Sequence, residues 1–130
     1  MSSLDHVSLP VSDIERARAF YTKALAPLGI TILMTVPASM TGSFDYLGLG
    51  KDQKPDFWLS QVAKVTPPLH IAFASNSRAE VDAFYAAAMA AGAKDNGPPG
   101  VRAHYHPGYY GAFVLDPDGH NIEAVCHKSA

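Results

Sequence analysis

Among the histidines and carboxylates of this sequence, His6, His70 and Glu123 combine the chemistry to hold a metal ion with a place in an alternating strand pattern. Each lies in a stretch whose side chains alternate as those of a β-strand do. In residues 4–11, Val7, Leu9 and Val11 share one face, and Leu4, His6 and Ser8 share the other. In residues 69–74, Leu69, Ile71 and Phe73 oppose His70, Ala72 and Ala74. In residues 121–126, Ile122, Ala124 and Cys126 oppose Asn121, Glu123 and Val125. The apolar faces belong under helices. The other faces place two imidazoles and a carboxylate among small or polar neighbours, as on a concave, partly solvated sheet. Two histidines and one carboxylate in one cavity suit a single divalent ion (Fe, Mn, Ni or Zn) with positions open for substrate. Taken singly, each residue has a plainer reading. A lone strand histidine is more often a hydrogen-bonded core or surface residue, and Glu123 would serve as an edge ion-pair partner.

A second dense stretch runs from Arg102 to Tyr110 and includes His104, Tyr105, His106 and Tyr109. Imidazoles and phenols move protons near neutral pH, so His104, His106 and Tyr109 are candidate catalytic groups. Arg102 can hold a carboxylate or phosphate in a fork. With Tyr110, Ser8 and Trp58 it makes up the candidate substrate-binding set. Tyr109 and Tyr110 equally fit ordinary half-buried strand positions. His120 and His127 read as turn and tail residues.

The elements that must position these groups follow from pattern. Ser12 and Glu15 form a capping box before a helical stripe of Ile14, Ala17, Tyr21, Ala24, Leu25 and Leu28. Ser77 and Glu80 repeat that signal before Val81, Phe84, Tyr85, Ala88 and Met89. Strands are expected at 31–36, 43–49, 56–60 and 101–106, with turns at 50–55 and 95–100. The last hairpin runs 112–115, turns through Asp116, Pro117, Asp118 and Gly119, and returns at 121–126. With an offset of 64, His6 falls on His70, Phe20 on Phe84, Tyr21 on Tyr85 and Ala24 on Ala88. The chain therefore reads as α+β: two βαβββ units, about 3–62 and 67–127, in one domain over 1–130. Its 130 residues and net charge of −2 give no electrostatic case for nucleic acid or an anionic membrane. The first residues lack the character of a signal peptide, and the single cysteine permits no internal disulfide. A cytoplasmic protein is expected.

His6 to Asp13, Ala19 to Tyr21, His70 to Phe73 and Leu115 to Glu123 together resemble the glyoxalase/bleomycin resistance/extradiol dioxygenase superfamily, the vicinal oxygen chelate proteins. The resemblance covers nearly the whole chain. It implies a half-open barrel around a divalent metal, in a homodimer, with metal positions on the first and fourth strand of each unit. These fall on His6, a position near Trp58, His70 and Glu123. Glyoxalase I has a carboxylate or glutamine where this chain has Trp58, and an indole cannot ligate there. Extradiol dioxygenases match the triad but carry four units. Fosfomycin-modifying thiol transferases match in length and triad, with a threonine where Ser8 stands. They also use a basic residue beyond the last glutamate, where this chain has Lys128. The implied function is a metal-dependent enzyme that chelates a small oxygen-bearing substrate, of lyase, dioxygenase or thiol-transferase type. The alternative is a metal-free protein that sequesters a small molecule, as bleomycin resistance proteins do.

Overall fold

The computed structural model describes residues 4–42 and 45–128. The first unit contains β1 (Val7–Val11), α1 (Ile14–Ala24), β2 (Thr31–Val36), a single helical turn α2 (Ala38–Thr41), β3 (Tyr46–Lys51) and β4 (Lys54–Gln61). The second contains β5 (His70–Ala74), α3 (Arg78–Ala90), β6 (Lys94–Asp95), β7 (Gly100–Val101), β8 (Tyr110–Leu115) and β9 (Asn121–Cys126). This is the expected α+β architecture. The first sheet has the order β1-β4-β3-β2 and the second β5-β9-β8-β6, with β7 also on β8. β1 pairs parallel with β4, and β5 pairs parallel with β9. The connection from β1 to β4 runs through α1, β2, α2 and β3, and that from β5 to β9 through α3, the short β6 and β7, and β8, so each unit follows a βαβββ plan in which β6 and β7 share one strand's place along β8.

The helical stripes read from the sequence are the helices' buried faces. Ile14, Ala17, Phe20, Tyr21 and Ala24 of α1, and Val81, Phe84 and Ala88 of α3, enter one cluster with Leu9, Leu47, Leu59, Ile122 and Ala124 from both sheets. Burying the fifteen or so largest apolar side chains of such a cluster, at about 1.5–3 kcal/mol each, is the main force holding helices to sheets. The opposite sheet faces are open. Ser8, His70, Ala72 and Ala74 are exposed along β1 and β5, and Met34 along β2.

Several local expectations differ from the structure for stated reasons. The cap of α1 is Asp13, whose carboxylate accepts from the Glu15 and Arg16 N–H groups, because the Ser12 hydroxyl is turned to Asp118 at 2.5 Å. Residues 102–106 are not strand. Arg102 N–H donates to the Tyr109 carbonyl, Tyr105 N–H to that of Arg102 and Tyr109 N–H to that of His106, so the loop satisfies its own backbone. The turn expected over 50–55 narrows to Asp52 and Gln53, both at positive φ, and the strands run up to them. The strand expected from residue 43 is β3 from Tyr46; Ser43 and Phe44 lie outside the described residues, as do the first three and last two. His120, read as a turn residue, is fully buried.

Candidate functional site

The site grows from β9. Its alternation turns Ile122, Ala124 and Cys126 into the core and Glu123 onto the other face, where Glu123 is nevertheless 1% exposed. A buried carboxylate needs partners. Glu123 has two. His70 Nε2 lies 2.8 Å from its Oε1, and the Tyr109 hydroxyl donates to its Oε2. His70 comes from β5, whose register sets it opposite Asn121 and sets Ala72 opposite Glu123. Tyr109 arrives from the loop before β8. Gly111 makes room for it, since a Cβ there would sit 3.1 Å from the Tyr109 ring and 3.3 Å from Glu123 Oε2. Burial, then the hydrogen bond and charge of Glu123, hold the Tyr109 phenol well above its ordinary pKa. The Tyr109 hydroxyl therefore holds its proton more firmly than a free phenol.

His6 precedes β1, and its side chain is 56% exposed. Asp5 Oδ1 sits 2.8 Å from His6 Nδ1, and Lys54 Nζ 2.7 Å from Asp5 Oδ2. The Lys54 and His6 hydrogen bonds lower the Asp5 pKa. A carboxylate on Nδ1 orients the ring, and among the described residues Nε2 has no hydrogen-bond partner, the arrangement common behind metal-ligating histidines. His6 and His70 line one cavity of about 460 Å³, together with Asp5, Asp56, Phe57 and Phe73. They do not meet. His120 accepts from the Leu69 N–H at Nδ1 (2.9 Å), and its Nε2 donates to the Pro10 carbonyl (2.7 Å). The start of β5 thus lies at the end of β1. From Pro10 back to His6 is about 13 Å of strand at ~3.3 Å per residue. Among the described residues no three His, Cys, Asp or Glu side chains cluster closely enough to share a metal. The structure brings His70, Glu123 and Tyr109 together, and it leaves His6 apart from them within the chain.

The register also locates Trp58. Ser8 pairs with Trp58 across β1 and β4, as Ala72 pairs with Glu123 across β5 and β9. Trp58 lies across Gly48, where a Cβ would come within 2.8 Å of its indole. Ser8 is exposed beside it. The remaining candidates divide. Arg102 holds its guanidinium over Phe113, whose strand position pairs with Glu123. The His106 ring is 5.3 Å from that of Tyr109 and contacts His127 through Nε2 and Nδ1 at 2.6 Å. His104 is exposed and touches Tyr105. Tyr110 faces the helical side of β8: its hydroxyl donates to Asp82, and Arg78 of α3 covers its ring. It is not brought to Glu123.

Sequence reasoning missed Asp5, His120 and Asp116. Asp116 is buried and accepts from the Tyr21 hydroxyl at 2.5 Å and from the Asp118 and His120 N–H groups. The signal was present in Tyr21. A tyrosine in the middle of an apolar helical stripe must find a partner for its hydroxyl.

The residues fit a metal in part. A buried carboxylate and an imidazole at 2.8 Å are two ligands of suitable kind, and a third must come from beyond this pair. No curated protein matches the chain. Among solved structures, a glyoxalase/bleomycin resistance protein from Albidiferax ferrireducens T118 is similar at 26% identity and a TM-score of 0.76, over 96% of this chain and 98% of that one. A glyoxalase I mutant from Zea mays is similar at 25% identity and a TM-score of 0.71; 94% of this chain matches 46% of the maize protein. The fosfomycin resistance protein FosX from Listeria monocytogenes, solved with Mn(II) and 1S,2S-dihydroxypropylphosphonic acid, shares the fold at 18% identity and a TM-score of 0.68, over 96% of this chain and 90% of that one. The family model described as Glyoxalase/Bleomycin resistance protein/Dioxygenase superfamily matches residues 3–124, and the chain belongs to that superfamily.

Proposed function

We propose that this protein is a divalent-metal-dependent enzyme that acts on a small oxygen-bearing substrate, as a homodimer in which His70 and Glu123 of one copy and the His6 of the other hold the ion. The observation that carries this reading is the His70–Glu123 pair: a fully buried carboxylate and a half-exposed imidazole on an open sheet face. His6 supports it, with Nε2 unpartnered among the described residues and Asp5 behind it, yet at the far end of the cavity from His70. The exposed face of β5 and the exposed Met34, Tyr46 and Leu69 are surface that a second copy would cover. When bound, the ion supplies Lewis acidity toward substrate oxygens. Tyr109 keeps a proton on its hydroxyl beside Glu123, with His106 next in line behind it. Trp58 gives an apolar wall that keeps water from one side.

Complementation between copies tests the reading. His6→Ala and Glu123→Ala homodimers should each bind little metal. Dimers reassembled from a mixture should regain it, because a heterodimer holds one intact set. Elemental analysis without a histidine tag and light scattering give the readout. A monomer at micromolar concentration, or no metal after reconstitution with Fe, Mn, Ni and Zn, overturns it.

A second reading has its own support. Glu123 already has a donor on each oxygen. A closed network of that kind also suits a metal-free binder that takes a planar molecule against Trp58. Metal content separates the two.

A further inference from the structure

Next to the His70–Glu123 pair lies a second cavity of about 360 Å³, lined by His70, Asn96, Arg102, Tyr105, Phe113 and Asn121. Its one cation is Arg102. Among the described residues no carboxylate lies within 4.0 Å of this guanidinium. The group is nevertheless held in a built cradle. One Nη2 hydrogen donates to the Pro98 carbonyl at 2.7 Å, and the guanidinium carbon Cζ lies over the Phe113 ring, 5.4 Å from its centre. Two glycines leave it space. A Cβ on Gly97, at φ +143, would sit 3.1 Å from Nη2, and one on Gly100 would sit 3.0 Å from Nη1. The Arg102 backbone is fixed as well, by its N–H to the Tyr109 carbonyl at 2.7 Å. Of the five guanidinium hydrogens, Pro98 takes one. Among the described residues the other four have no hydrogen-bond partner, and they can serve a ligand.

We infer that this cavity binds a carboxylate, so the substrate is a small acid with chelating oxygens at one end and a carboxylate at the other. The chelating end rests on the reading above; the carboxylate end rests on Arg102. A planar fork preorganised over an aromatic ring matches a carboxylate in two parallel hydrogen bonds. The other polar groups of the lining, the Asn96 and Asn121 amides and the Tyr105 hydroxyl, are neutral. One guanidinium balances one negative charge, which favours a monoanion over a phosphate dianion. Carboxylates flank the lining in two places. Asp95 accepts from the Gly97 N–H, and Glu123 is engaged by His70 and Tyr109. Neither comes within 4.0 Å of the Arg102 guanidinium. His70 lines this cavity and contacts Glu123, so a ligand bridging the two ends would be short, of the size of a substituted benzoate.

Calorimetric titration of the full protein with matched probes tests this. The probes are catechol and 3,4-dihydroxybenzoate on Mn(II)-treated protein, and benzamide, benzoate and inorganic phosphate on protein treated with a chelator. The acid of each organic pair should bind at least about tenfold tighter than its neutral counterpart, and phosphate more weakly than benzoate. Arg102→Met should abolish the preference, and Arg102→Lys should keep part of it. Gly100→Ala retains the arginine but displaces its guanidinium, and should weaken benzoate in the same way, which guards against a folding defect in Arg102→Met. Equal binding of acid and neutral probes, or a preference that survives Arg102→Met, overturns the inference even if metal binds. An Arg102-dependent preference for benzoate in a protein that takes no metal upholds it and overturns the metal reading instead. Tighter binding of phosphate than benzoate overturns the monocarboxylate assignment.

Discussion

Trp58 stands in the first unit where Glu123 stands in the second. Trp58 is opposite Ser8 in the parallel β1–β4 ladder, and Glu123 is opposite Ala72 in the parallel β5–β9 ladder. Ser8 and Ala72 are themselves related by the 64-residue offset that relates His6 to His70. The two-unit repeat thus has two symmetric positions, and this chain fills one with a carboxylate and the other with an indole.

A carboxylate at the indole's position should complete a four-ligand set and add negative charge beside the cation. Trp58→Glu is expected to bind a divalent ion roughly tenfold tighter than wild type, about 1.4 kcal/mol. Glu123→Ala should bind it at least about 100-fold more weakly, beyond the loss typical of a supporting residue. Competition with a chelator, on variants shown to be folded, measures both. Unchanged or weaker affinity in Trp58→Glu would mean that the open face of β4 does not meet the ion.

The contact between Trp58 and Gly48 carries a separate prediction. A methyl group on Gly48 would overlap the indole, with 2.8 Å to one ring carbon and 2.9 Å to the next. Gly48→Ala should therefore cost about 1–3 kcal/mol in wild type, the usual penalty of overpacking. In a Trp58→Ala background it should cost less, since only Pro55 Cβ, at 3.0 Å, stays close. A double-mutant cycle by chemical denaturation reads the coupling, which must exceed about 0.5 kcal/mol to be real. Additive effects would show that the indole does not rest on Gly48.

Much of this arrangement was legible in the sequence because it depends on period and repetition. Alternation in β5 and β9 put His70 and Glu123 on a common face, and the fourth-strand position that the family resemblance implied in the first unit fell near Trp58. What was not legible depends on three-dimensional neighbours. The run from Val101 to His106 has strand-like residues, but Pro107 and Gly108, at φ +84, turn the chain, and the loop bonds to itself. Nothing in the spacing of His6 and His70 tells that they stand at opposite ends of one cavity. That follows from contacts between the units: His120, which the sequence presents as part of a turn, ties Leu69 to Pro10 at the end of β1, while Phe73 near the end of β5 meets Phe57, the partner of Val7 at the start of β1. Tyr110 shows the limit of adjacency: one residue after Tyr109, it faces the opposite side of its strand.

Alkaline pH should destabilise the fold through its tyrosines. Burial, then the Asp116 charge and hydrogen bond, push the Tyr21 phenol well above 10, and Tyr109 is raised for the reasons given with Glu123. In the unfolded chain both ionise near 10. Above that pH the unfolded state has lost protons that the folded state keeps, so stability falls as pH rises; below it the contribution is fully present. Absorbance titration of phenolate should show late-ionising tyrosines that appear only with unfolding. Tyr21→Phe removes a group from this linkage, and its stability should fall less steeply between about pH 10 and 12. An equal slope in the variant would mean that Tyr21 ionises freely in the folded protein.

His120 supplies the test of how the two units are held in register. Its ring is fully buried and joins the Leu69 N–H, at the start of β5, to the Pro10 carbonyl in β1. The two bonds fix the tautomer, since Nδ1 accepts and Nε2 carries the proton. The His120 N–H is tied in turn to Asp116, which holds Tyr21 of α1. His120→Ala would deprive the Leu69 N–H and the Pro10 carbonyl of their partner and leave a new cavity beside them. These effects together should cost about 3 kcal/mol. A glutamine places an acceptor and a donor at similar reach, so His120→Gln should recover at least half of the loss. Urea unfolding provides the comparison: the midpoint should fall in the order wild type, His120→Gln, His120→Ala, with the slope unchanged if unfolding stays cooperative. Alanine and glutamine variants of equal stability would show that the imidazole only fills space. In that case the relation between the start of β5 and the end of β1, and with it the separation of His6 from His70, must be held by the core alone.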